Sequence, residues 1–292
     1  MTLARRPEAG CDARTERGGE AARPLTDVRP ARLSERVATR RTFGVLMLGA
    51  LLGVVGLQPY ALALTSPQLP PGSPPLGLLI AAGVLQSLVL VAGATVLGLW
   101  LGPKVGLGAP LLRAWVMGDR DAPGRFRAQV APAVLAGAVS SAAVLVLEVF
   151  VFAPRTPPAA SGIDAPAAAP WQGLLAAFYG GIVEELLLRL GLMTVLVWLG
   201  VKLTRATRPS SAVLWSANTL AAVLFGLGHL PTTAALVALT PLVIARTLVL
   251  NGLAGVVFGW LYWRRGLLAA MVAHFTFDLV VLAIVPALRG GA

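Results

Sequence analysis

Seven stretches of this chain are apolar enough, and long enough, to cross a lipid bilayer. They are 43–64, 76–101, 130–153, 171–200, 211–229, 233–263 and 267–287. A helix needs about 20 residues to cross the hydrocarbon, because it rises only ~1.5 Å per residue. In lipid every backbone N–H and C=O must be satisfied within the segment, so such runs fold as helices. The stretch 233–263 is longer than one crossing needs. It fits either one tilted span or a short re-entrant piece followed by a span. The fold expected is therefore all-α: a polytopic transmembrane bundle of seven spans, with eight as the alternative. Composition agrees, at 57% hydrophobic and 13% charged residues with a mean hydropathy of +0.78. Soluble domains carry about 25% charged residues. An ordinary soluble enzyme, a fully disordered chain and a disulfide scaffold are all excluded. The single cysteine, Cys11, has no partner within the chain.

The net charge of +11 is not a nucleic-acid signal. Residues 1–42 hold ten arginines against six carboxylates, and the remaining cations sit in short segments between apolar runs. No basic groove with interleaved aromatics is visible, so no nucleic-acid partner is expected. The tail 1–42 is polar and without apolar periodicity, which predicts disorder. Its Arg40-Arg41 pair before an apolar run reads either as a twin-arginine export signal or as a cytoplasmic anchor. The anchor fits better, because the rest of the chain is also apolar. The basic segments 1–42, 102–129, 202–208 and 264–265 all fall on one side of a seven-span bundle. The positive-inside rule makes that side cytoplasmic, with the N-terminus inside. Within 102–129 a short interfacial helix is expected over 111–117, with Trp115 at headgroup level. The sequence divides into the tail 1–42, the N-terminal spans and amphipathic loop 43–130, and a membrane domain 131–292.

Charge inside a membrane helix costs roughly 2.5–3.5 kcal/mol near the centre on insertion scales. The ionisable residues of the spans are therefore the candidates for chemistry: Glu148, Glu184, Glu185, Arg189, His229, Arg246, His274 and Asp278. Glu185 and Arg189 are spaced i, i+4 and can pair on one helix face. Glu184 points about 100° away from Glu185 on an α-helix. Left without that partner, it suits general acid–base work in a polar cavity. His229 follows Phe225-Gly226-Leu227-Gly228 and can exchange a proton near neutral pH. His274 and Asp278 are again i, i+4, so Asp278 can orient His274 or share a ligand with it. Glu148 and Arg246 have no evident partner and read as packing or interfacial charges. Trp171, Trp260, Tyr262 and Trp263 near span ends read as interfacial anchors. Three helices thus bring carboxylates, two imidazoles and an arginine into one apolar bundle, which is enough for a buried hydrolytic site. Structural ion pairs and a proton relay would use the same residue types. No matching half with a second broken helix supports a proton-coupled transporter.

In order along the chain, Glu184-Glu185-x-x-x-Arg189, Phe225-x-x-x-His229 and His274-x-x-x-Asp278 resemble the CPBP family. These are the CAAX-processing and bacteriocin-processing (Abi-type) intramembrane proteases. The stretch Gly255–Tyr262 is also similar to theirs, and the resemblance covers about 171–285. It implies hydrolysis of a peptide bond in a membrane-associated protein or peptide, in a multi-pass protein of a bacterial cytoplasmic membrane. By resemblance, Glu184 and His229 activate water, Glu185 and Arg189 position the site, and His274 with residue 278 stabilises the oxyanion. The family usually has Asn where this chain has Asp278. An ionised Asp cannot donate a hydrogen bond, so Asp278 is either protonated, orients His274, or helps to hold a metal. No cofactor is favoured. A divalent metal such as zinc on Glu184, His229, His274 and Asp278 stays as the alternative, although no His-Glu-x-x-His motif is present. A non-catalytic adaptor or immunity protein of the same fold, binding a partner protein, is the competing reading. No particular oligomeric state is implied.

Overall fold

A computed structural model describes residues 28–66, 69, 71–157 and 168–290. Among these residues the chain is helical, with no strand. The helices are α1 (Val28–Thr65), α2 (Leu76–Val105), α3 (Pro110–Val116), α4 (Ala122–Leu147), α5 (Pro170–Phe178), α6 (Thr194–Leu203), α7 (Ser211–Gly228), α8 (Leu230–Leu236), α9 (Pro241–Arg265), α10 (Leu267–Asp278) and α11 (Val285–Gly290). Several of these join through π-helical turns without a break. Glu148–Phe152 extends α4, Tyr179–Glu184 and Leu186–Met193 connect α5 to α6, and Leu279–Ile284 connects α10 to α11. Among the described residues, seven helical segments are long and apolar enough to cross a membrane. The chain is an integral, multi-pass membrane protein.

The fold resolves the long run at 233–263. Residues up to Leu236 form α8, and α9 starts only at Pro241. Two local signals set this break. Thr240 accepts a hydrogen bond from the Val243 N–H at 3.3 Å, and Pro241 takes the first helical position, where its missing N–H is not needed. The span count is therefore seven. The interfacial helix expected over 111–117 is α3, with Trp115 exposed and its ring 5.6 Å from that of Phe126.

The chain divides into two units, Met1–Arg36 and Val37–Ala292. The tail expectation needs correction. α1 begins at Val28, so residues 28–42 are helical. Their Arg, Ala, Leu and Glu content carries good helix propensity without an apolar stripe. The rest of the expected tail, residues 1–27 with Cys11, lies outside the described residues.

Within Val37–Ala292 the core runs through Leu46, Ala50 and Val54 of α1, Val183, Leu186, Leu190 and Met193 of the π-helical segment, and Phe258 and Leu261 of α9. α9 packs against α7, α4 and α10, and α10 packs against the turn 179–184. The π-helical segment is thus enclosed by α1, α2, α7, α9 and α10. Tyr262 is not an interfacial anchor. It is 1% exposed, and its hydroxyl is shared by the Gly108 N–H at 2.9 Å and Thr194 at 2.7 Å. Trp171 and Trp260 are exposed, as anchors should be.

Candidate active site

Three elements supply the charged groups: the π-helical segment 179–193, the end of α7, and α10. The first and the third converge on His274, which is 2% exposed. Its Nδ1 lies 2.8 Å from Glu185 Oε1. A carboxylate oxygen accepts here, so Nδ1 carries the proton. Its Nε2 lies 3.5 Å from Glu184 Oε2 and 3.6 Å from Asp278 Oδ2. Both glutamates therefore reach one imidazole, from opposite nitrogens. The reading of a straight α-helix set them about 100° apart. The wider π turn brings successive side chains closer in angle. Such turns recur at functional sites.

Glu185 is sealed at 0% exposure and also pairs with Arg189 Nη1 at 3.1 Å. Arg189, 2% exposed, donates from Nη2 to the Gly255 carbonyl at 3.0 Å. The i, i+4 pair read from the sequence is present, and it is anchored across to α9. Phe258 stacks on the His274 ring at 4.4 Å and 24°. The Arg189 guanidinium lies 5.5 Å from the Phe258 ring centre and 5.2 Å from that of Phe225. Phe225 already stands in the second sequence motif, whereas Phe258 and the Gly255 carbonyl are visible in the sequence only through the resemblance of the stretch 255–262.

His229 stands at the C-terminal end of α7. Its Nδ1 donates to the Phe225 carbonyl at 2.9 Å, because a carbonyl can only accept. Nε2 is left with a lone pair. The Phe225 ring lies edge-on to both imidazoles, 4.7 Å from His229 and 5.8 Å from His274. The backbone also yields space. A Cβ on Gly180 would run into the Asp278 carboxylate and stand 3.1 Å from His274 Nε2. Only glycine lets α10 approach this closely.

Glu148 and Arg246 require a correction. They are partners, with Arg246 Nε donating to Glu148 Oε2 at 2.8 Å, and Glu148 is buried. Their pairing joins the π turn after α4 to α9, apart from the His274 cluster. Among the described residues, no group of three or more His, Cys, Asp and Glu could hold a metal ion.

No curated protein and no solved structure matches the chain. A family model does match, and Glu184, Glu185, Arg189, His229, His274 and Asp278 all lie within the matched segment. Residues 166–280 match the family described as type II CAAX prenyl endopeptidase Rce1-like, consistent with the CPBP resemblance carried by the three motifs.

Proposed function

We propose that this protein is an intramembrane endopeptidase that hydrolyses a peptide bond of a membrane-associated protein or peptide. One observation carries the division of labour: the side chain of Glu184 is 19% exposed and that of Glu185 is 0% exposed. A general base must meet water, and a positioning group need not. Glu184 takes the proton of the attacking water as its oxygen adds to the scissile carbonyl carbon. His229, with its Nε2 lone pair free, accepts the second hydrogen bond of that water. The C–N bond then breaks, and Glu184 returns the proton to the leaving amine. Glu185 and Arg189 hold His274 in one orientation. As an imidazolium, His274 donates from Nε2 to the developing oxyanion. No step is routed through a metal. The distribution of basic loops supports a cytoplasmic N-terminus, and the membrane in this reading is that of a bacterium.

The test compares peptide termini in membranes carrying wild-type protein or Glu184→Gln at matched expression. Loss of the proposed general base predicts a fall of about 10²–10⁴-fold in the new termini. Asp278→Asn, which installs the family's usual residue, is expected to keep cleavage. Equal termini with wild type and Glu184→Gln, both stably expressed, would refute proteolysis and leave the partner-binding reading.

A further inference from the structure

A cavity of about 580 Å³ opens at the other end of α9. Its walls come from the turn after α2, from Gln129 of α4, and from Trp260, Trp263, Arg264 and Arg265 of α9. Every one of these elements is at or near the end of a membrane-length helix. The cavity therefore sits at headgroup depth, where Trp side chains collect.

Its chemistry is one-sided. Arg264 and Arg265 are both exposed, and no carboxylate lines the cavity among the described residues. Gln129 adds an acceptor: its Oε1 is buried and has no hydrogen-bond partner. A buried amide oxygen without a donor is costly. The site lacks two things, an anion for the arginines and a hydrogen-bond donor for Gln129.

The walls are fixed before anything binds. The Gly108 N–H donates to the Tyr262 hydroxyl, and Thr194 donates to the Arg189 carbonyl at 3.2 Å. The Tyr262 hydroxyl must then donate to Thr194, which spends its own proton on Arg189. Trp263 is held edge-on against Trp215 at 5.4 Å. Gly266, at φ 95°, ends α9 sharply behind the arginine pair.

We propose that this cavity binds the headgroup of an anionic phospholipid, with its phosphodiester against Arg264 and Arg265 and a headgroup hydroxyl on Gln129. Its depth, its positive charge and its lone acceptor all match that class. The proposal does not depend on the proteolytic reading.

The test uses the full chain in neutral detergent micelles, titrated with phosphatidylglycerol and followed by thermal stability and native mass spectrometry. Phosphatidylglycerol should raise Tm and stay bound, whereas phosphatidylcholine should do neither. R264Q/R265Q should weaken the apparent affinity roughly thirtyfold, at about fivefold per arginine. R264K/R265K should retain most of it, which separates loss of charge from loss of fold. R120Q/R127Q, exposed on the basic segment but not among the residues that line the cavity, should change it less than threefold. An unchanged affinity in R264Q/R265Q overturns the proposal. An equal loss in R120Q/R127Q overturns it in favour of diffuse surface charge. The same Tm rise from inorganic phosphate or glycerol phosphate at matching concentration overturns the lipid assignment.

Discussion

Arg189→Met is the most discriminating change in the cluster. It removes the guanidinium paired with Glu185, a carboxylate with no exposure at all. It also removes the hydrogen bond to the Gly255 carbonyl. Interhelical hydrogen bonds in membrane proteins average only about 0.6 kcal/mol. Removing one partner of a buried ion pair costs about 3–5 kcal/mol, because the other charge is left uncompensated. If Glu185 and Arg189 act as a charged pair, Arg189→Met should lower stability by roughly 3–5 kcal/mol. Adding Glu185→Gln should then restore part of the loss, since Gln can still accept from His274 Nδ1 without a charge. The double variant should fall short of the sum of the two singles by about 2 kcal/mol, within the range for residues in contact. Reversible unfolding in mixed micelles gives the numbers for all four proteins. A loss near 0.6 kcal/mol for Arg189→Met, or strictly additive singles, would refute the argument.

Gly180→Ala should cut cleavage at least tenfold, with a stability loss of roughly 1–3 kcal/mol from overpacking against Asp278. Gly252→Ala, whose Cβ meets only Ala222 at 4.0 Å, is the control, and equal activity in both variants sinks the close-approach reading. Glu148→Gln should cost about 2–3 kcal/mol, below the figure for a fully buried pair because the Arg246 side chain keeps 13% exposure. The specific activity of its folded fraction should not change; a selective loss of activity would instead tie this pair to the cluster. Outside the membrane, the Asp121 N–H donates to Asp119 at 2.9 Å. That bond first, and then Arg125, holds the Asp119 carboxyl below its ordinary value. A lowered folded value means the turn is fully supported above the unfolded value and loses support only as pH falls through the lowered one. The Asp121 amide resonance should therefore titrate with a midpoint under about 3.9, and a midpoint at or above that value refutes it.

What could be read in the sequence follows the range of each interaction. Spans are set by local composition, so seven were legible, together with the pair Glu185–Arg189 at i, i+4. The start of α1 was missed because hydropathy does not see a charged helix; its propensity does. Glu148 and Arg246 lie 98 positions apart, and nothing in spacing joins them. The same holds for Phe258, which looks like any core aromatic until its ring is found on His274.

The π-helical turns are the deeper limit, because they change what spacing means. On a regular α-helix, adjacent glutamates face different partners, and the sequence assigns Glu185 to Arg189 and leaves Glu184 unclaimed. With the π turn, both carboxylates reach His274, one at each nitrogen, while their exposures stay unequal. A separation of roles between them would then rest on depth of burial rather than on direction. Gly180 belongs to the same device, since a side chain there would push α10 away and separate His274 Nε2 from Glu184. In this reading the unit that performs the chemistry is the turn 179–184 with α10 pressed against it. Substitutions that restore α-helical register in 179–193 should therefore disturb cleavage more than any single change on the outer faces of the bundle.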